Sequence, residues 1–256
     1  MNSIITLFST NPYLVMIKDI SGWIGLFISL GIITIILWKS WHLNQKLTLP
    51  QAILFSALFA SAPIASLFMG VLLPAGNAMV QPGLALDPIR PVIMFFSDIP
   101  WLLAAGMLGP IYAAIIALFS GILRAVFHTH HLFTPVIYLL LAIIASLSLR
   151  QNYRTPFFKW MRSPIITIIP ISIVFASLHL IVIPIFTTGE FVSRVDYAIS
   201  IFPGFFIAQF VELLIAGVFS EGIRKIKPEL WVEEKNLQLS PTEKSLQTRF
   251  LIQLST

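Results

Sequence analysis

Four side chains that can carry charge, Asp98, Arg124, His179 and Glu212, stand inside long apolar runs of this chain. A charge placed that deep costs about 3 kcal/mol or more unless it is paired or reaches water, so each is a functional candidate. The turn at Gly109 lies eleven residues after Asp98 and fifteen before Arg124. At ~1.5 Å of helix per residue the two groups differ by only ~6 Å in depth. Side chains lean toward the N-terminus of their helix, which brings Arg124 toward the level of Asp98, so the pair is expected to meet. Three roles are open to Arg124: a structural salt bridge, a fork presented to an anionic ligand entering from outside, or a charge that snorkels to the interface.

His179 falls about two helical turns below an outer helix end, where it lines the same cavity or is satisfied by a backbone carbonyl. Glu212, with Gln209 on the same face, is either a polar helix-packing contact or the point through which an occupied cavity is relayed. Further polar groups, among them Asp87, Arg90, Glu190, Arg194 and Asp196, fall in the outer connecting segments. His128, His130 and His131 also lie there and form the only histidine cluster. Zinc wants additional ligands at wider spacing, such as i and i+4 on a helix, so the cluster reads as a solvated loop and no metal is expected. A phosphate-binding glycine loop, a Ser/His/Asp set and a paired-carboxylate motif are all missing. The chain is not expected to be an enzyme or to need a cofactor.

These groups must be positioned by membrane helices. Hydrophobic residues make up 57% and charged residues 11% of the chain, and mean hydropathy is +0.90, which identifies an integral membrane protein rather than a soluble domain. The formal charge of +5 sits in short clusters between apolar runs, the pattern of membrane loops, and argues against a nucleic-acid partner. Zero cysteines exclude disulfides and thiol chemistry. The first nine residues lack the basic region of a cleaved signal peptide.

The apolar runs predict an all-α polytopic bundle of about seven helices over 20–38, 52–73, 92–108, 111–127, 133–149, 165–186 and 197–219, each near the ~20 residues that cross a bilayer. Trp38, Trp41 and Trp160 suit interfacial positions. If the helices alternate, Lys39, Lys46, Arg150, Arg154, Lys159, Arg162, Arg224, Lys225 and Lys227 share one side, against Lys18, Arg90 and Arg194 on the other. The excess of positive charge places the N-terminus outside and the C-terminus in the cytoplasm of a multi-pass cell-membrane protein. Gly106 to Pro110 predicts a tight turn between helices 3 and 4, with glycine free to take positive φ and proline suited to a first helical turn. Gly109, Ala113, Ala117 and Gly121 form a small-residue stripe that lets a neighbouring helix approach, because packing must hold helices together in lipid.

Three regions follow: a transmembrane sensory bundle over 1–222, a cytoplasmic linker over 223–241, and the start of a further, truncated helix over 242–256. Ser240 as cap, Pro241 at the first helical position and Glu243 three residues after the cap mark that start.

Asp87-Pro-Ile-Arg90, the turn from Gly106 to Pro110, the small-residue stripe and Gly121-Ile-Leu-Arg124 together resemble the LytS/YhcK-type five-transmembrane receptor domains of bacterial sensors. A similar pattern occurs in the substrate-capture subunits of energy-coupling-factor transporters. The first resemblance implies the membrane region of a sensor histidine kinase or diguanylate cyclase, a ligand role for Arg124 and a homodimer; with the residue reading above, the expected small-molecule ligand is held by Asp98, Arg124, His179 and Arg90, with relay through Gln209 and Glu212. A small-solute transporter subunit and a structural membrane protein are the alternative readings.

Overall fold

A computed structural model describes residues 4–5, 12, 14–17, 19–41, 47–74, 79, 90–187 and 189–231. The expected helix start after Ser240, most of the linker and Asp87 lie outside these residues. The helices, in chain order, are α1 (Ile20–Lys39), α2 (Leu49–Leu67), α3 (Ile99–Met107), α4 (Pro110–Arg124), α5 (Thr134–Leu149), α6 (Pro156–Met161), α7 (Pro164–Phe186) and α8 (Phe191–Ile226). Five are long and apolar enough to cross a membrane: α1, α2, α7, α8 and α4 with the π-helical turn Ala125–Thr129 that extends it. Their exposed faces are aliphatic and aromatic, as at Ile24, Phe27, Ile53, Ile173 and Val218, which is the surface a lipid tail accepts.

Helix starts follow local chemistry. Gln51 Oε1 accepts from the Thr48 backbone N–H at 3.0 Å, closing the entry to α2 ahead of Pro50. Gly109 takes φ 115°, a conformation that suits glycine, and Pro110 opens α4. Close approach decides Gly121 as well: a Cβ there would lie 2.7 Å from Pro135 Cα and 3.1 Å from Tyr138 Cβ, so α4 and α5 touch almost backbone to backbone. Ala113 and Ala117 are fully buried on the same stripe.

The stretch expected as a helix over 92–108 is different. Val92–Met94 is a strand, β3, paired with β2 (Gly70–Leu72), which in turn pairs with β1 (Ile4–Ile5), all antiparallel. Pro91 and the β-branched Val92 and Ile93 favour extended backbone, and the chain turns helical only at Asp98-Ile99-Pro100. The nine residues of α3 are therefore too short to span alone, and Asp98 is its N-cap rather than a residue inside a helix. Non-helical backbone at this depth is tolerated only when protein satisfies it. Here Leu73 N–H bonds Pro91 O at 2.9 Å, Phe95 N–H bonds Met69 O at 3.3 Å, and Met94 N–H reaches Glu212 Oε1 at 2.5 Å.

The chain passes back and forth between two ends. At one, the segment before α1 crosses over the loop before α5: Val15 N–H bonds His130 O at 3.0 Å, and Asp19 pairs with Arg194 at 3.1 Å. At the other, the short turn between α3 and α4 is held from α5. Ser146 Oγ donates to Ala105 O at 2.8 Å, and Arg150 Nη1 donates to Gly106 O and Met107 O at 3.3 and 3.0 Å. The sequence-derived linker begins inside α8, which continues to Ile226. A 3₁₀ turn, Pro228–Leu230, then folds Trp231 back so that its ring lies over Gly106, where any Cβ would collide. Trp231 thereby joins the central core of Trp101, Leu102, Ile116, Leu141 and Leu213.

Candidate functional site

The side chains with chemical potential meet where α4, α5 and α8 surround the entry to α3. Arg124 ends α4, and its Nη1 lies 2.8 Å from Glu212 Oε1, with both side chains buried. The sequence expectation paired Arg124 with Asp98 instead. The difference arises because Glu212 comes in from α8, 88 residues away, at the same depth. Its second oxygen, Oε2, lies 3.1 Å from Ser97 Oγ, and Ser97 Oγ is also 3.2 Å from Asp98 Oδ1.

Asp98 is held by neutral donors. Trp101 Nε1–H donates to its Oδ1 at 3.1 Å, and Gln209 Nε2–H donates to its Oδ2 at 2.6 Å. Gln209 in turn accepts from the Tyr138 hydroxyl at 3.3 Å, and the Arg124 guanidinium sits 6.0 Å from the Tyr138 ring centroid. Asp98, Arg124, Gln209 and Glu212 thus form one network, extended by Ser97, Trp101 and Tyr138. A buried ion pair of this kind is costly to break, because removing one partner leaves the other charge uncompensated.

Beside this network lies a cavity, partly open at its mouth, between α4, α5, α7 and α8. Its floor is Arg124, Tyr138 and Gln209. One wall is apolar, from Ile137, Phe175, Val182, Ile183, Phe186 and Phe205. His128, His131 and His179 project into it, and the exposed Arg90 stands at its edge. An apolar wall with a few convergent polar groups is a make-up common among small-molecule pockets.

The histidine cluster is not the solvated loop expected from its sequence. His128 and His131 are 7% and 4% exposed, and His179 is 4% exposed. Two local features account for the burial. The π-helical turn Ala125–Thr129 carries His128 inward together with Arg124, and His130 at φ 58° then reverses the chain beneath the pre-α1 segment. His131 stacks edge-on against Phe186 with ring centroids 4.8 Å apart. Burial lowers the His131 pKa from its ordinary 6.5 to about 3, so the ring is neutral at physiological pH. No group of three or more possible metal ligands is assembled among the described residues.

Among the described residues, Arg124 Nε, both ring nitrogens of His131 and Nε2 of His179 are buried without a hydrogen-bond partner. Buried polar atoms are ordinarily satisfied, so these positions beside the cavity call for partners from water or a bound molecule. Comparison with protein-family models, curated proteins and solved structures returned no match. The site therefore has to be read from its own geometry.

Sequence reasoning passed over Tyr138, Phe175, Phe186 and Phe205, although their spacing held a signal. Phe175, His179, Val182 and Phe186 recur at i, i+4, i+7 and i+11 on α7, and Ile201, Phe205, Ala208, Gln209 and Glu212 share one face of α8. A stripe that alternates rings with polar groups inside an apolar helix points at a cavity rather than at lipid.

Proposed function

We propose that this chain is the membrane-embedded sensory region of a bacterial signalling protein, in which a small ligand occupies the cavity and α8 relays that occupancy. The observation that carries the reading is the continuity of α8. Its 36 residues run about 54 Å as one helix, with Pro203 inside it between the cavity-lining Ile201 and Phe205. Along its middle it supplies Ile201, Phe205, Ala208 and Gln209 to the cavity, and near its end Arg224 Nη1 donates to Arg162 O at 3.2 Å while Glu221 Oε2 accepts from Ser163 Oγ at 2.9 Å. A ligand that pushes on the middle of this helix displaces its C-terminal end.

The cavity mouth faces outward in this reading, and the Arg150 end, with its concentration of lysine and arginine, faces the cytoplasm of a bacterial inner membrane. The chain then passes seven times between the faces, with β3 and α3 together making the third passage. The resemblance of the Arg90 to Arg124 region to LytS/YhcK-type receptor domains supports the same assignment, in which the signal passes to a kinase or cyclase. The relay can shift an output only by the difference in ligand affinity between its two states.

The test needs no ligand. Ala208 is buried at the cavity wall, so Ala208→Phe fills the cavity from α8. Spin labels placed through Lys159→Cys and Glu229→Cys, in a chain with no native cysteine, report the far end. A shift of the inter-label distance on the order of 1–2 Å is expected. An unchanged distance distribution would sink the relay.

A further inference from the structure

The identity of the guest can be narrowed from the charges and ring geometry around the cavity, and the argument rests on the ligand-binding reading above. The cavity floor contains one cation, Arg124, and it is already paired with Glu212 at 2.8 Å. Asp98 stands in the same network, joined to the floor through Gln209. A carboxylate or phosphate entering here would add a further negative group beside two existing carboxyls, in a medium that screens charge poorly. His131 is neutral and brings no compensating charge. Arg90, the other cation lining the cavity among the described residues, is exposed at its edge.

What the interior does offer is unspent hydrogen-bond donors. Arg124 Nε–H is a donor without a partner, and the open ring nitrogens of His131 and His179 can each present one in the appropriate tautomer. Arg124 Nε–H can only donate, and each neutral ring has one donor and one acceptor nitrogen, so a guest that engages Arg124 and the ring N–H groups must carry acceptors. The surrounding walls are rings set edge-to-face or tilted: His131 on Phe186 at 4.8 Å, Phe133 on Phe186 at 5.9 Å, Phe175 on His179 at 5.8 Å and His179 on Phe205 at 5.4 Å. Such walls favour a flat ring that can offer face or edge.

We propose that the cavity binds an uncharged, planar ring compound with carbonyl acceptors, the chemistry of a quinone, held by Arg124, His131 and His179. Only binding is assigned, without electron transfer. An outer-mouthed cavity between membrane helices gives such an apolar molecule direct access from the bilayer or from solution.

The probe is menadione (2-methyl-1,4-naphthoquinone), added to the full chain in lipid nanodiscs, with binding read as quenching of tryptophan fluorescence. Without cysteine the chain cannot form thiol adducts that would mimic binding. Naphthalene, which has the ring but no acceptor, and 2-naphthoate, which has the ring and a negative charge, serve as competitors. Saturable quenching is expected, with each competitor needing at least a ten-fold higher concentration than menadione itself to occupy the site. His131→Phe and His179→Leu, which keep the apolar volume, are each expected to weaken menadione about five-fold, the loss of one hydrogen bond. Ala208→Phe is expected to abolish quenching.

Three results would overturn the proposal: naphthoate displacing menadione at equal or lower concentration, naphthalene competing as well as menadione, or Ala208→Phe leaving the quenching intact. The first two leave the relay reading standing, since the spin-label distances test it without any ligand.

Discussion

The pair formed by Arg124 and Glu212 gives the sharpest quantitative test of the site. Glu212 is fully buried and accepts from three donors: Arg124 Nη1, the Met94 backbone N–H and Ser97 Oγ. Replacing Arg124 by leucine leaves a buried carboxylate with two neutral donors, and replacing Glu212 by leucine leaves a buried guanidinium without its ion-pair partner, with Asp98 only in the surrounding network. Each single change should cost ~3–5 kcal/mol. At ~2–4 °C of melting temperature per kcal/mol for a chain of this size, that is a fall of about 6–20 °C. The double variant Arg124→Leu/Glu212→Leu removes both charges together, and its remaining penalty is the orphaned Met94 N–H, ~1–3 kcal/mol, because the Ser97 hydroxyl keeps Asp98 Oδ1 as a partner at 3.2 Å. It should therefore melt well above the value obtained by adding the two single losses, with a coupling of at least ~2 kcal/mol. Thermal unfolding of the four proteins in one detergent, followed by helical circular dichroism, measures all the terms. If either single variant melts within ~2 °C of the wild type, or if the two losses simply add, the pair does not hold the site together as argued.

Several further substitutions probe separate parts of the structure. Gly109→Ala places a Cβ at φ 115° and should cost ~1–2 kcal/mol without touching the cavity, read as a lowered melting temperature. Gly121→Leu forces a branched side chain against Pro135, 2.7 Å from where its Cβ must sit, and should separate α4 from α5 enough to lose the folded protein, seen as failure to elute as a single species. Trp231→Ala empties the space over Gly106 and should cost ~3–5 kcal/mol; the expected companion is faster protease cleavage after Ile226, and equal cleavage rates would remove Trp231 from the core. His131 titrates near pH 6.5 when unfolded but at about 3 when folded. Below pH 6.5 the unfolded chain binds the proton and the folded chain does not, so stability falls as pH drops from 6.5 toward 3, by up to ~1.4 kcal/mol per pH unit. His131→Phe should flatten that part of the pH profile relative to the wild type, and identical slopes would show that the ring is not buried as described.

Hydropathy made the helices legible because lipid-facing surface has to be apolar over a fixed length, and α1, α2, α4, α7 and α8 each carry that signal in uninterrupted runs. It failed at Val92–Met94 for a definite reason. A strand buried on both faces and a helix buried on all sides are both continuous apolar runs, and only pairing with Gly70–Leu72, some twenty residues earlier, separates them. The ionisable groups were legible as residues out of place, yet not as partners. Depth along two adjacent helices brought Asp98 near Arg124, but Glu212 enters from α8, and nothing local to Arg124 announces it. The histidines show the same limit from the other side. His128 to His131 read as a polar loop because polarity was judged along the chain, whereas their burial is imposed by Val15 crossing above His130 and by Phe186 arriving from α7. Each error concerns a contact between segments distant in sequence, and each lies at the cavity. That concentration is itself informative, since a strand inside a helical bundle, charges within an apolar core and buried rings without hydrogen-bond partners each depart from local expectation, and such departures are costly to maintain and gather at functional or strained sites. The short strand β3 illustrates how the costs interlock. Its Met94 N–H would be unsatisfied at that depth without Glu212, Glu212 would be an uncompensated charge without Arg124, and Arg124 still holds its Nε–H open toward the cavity.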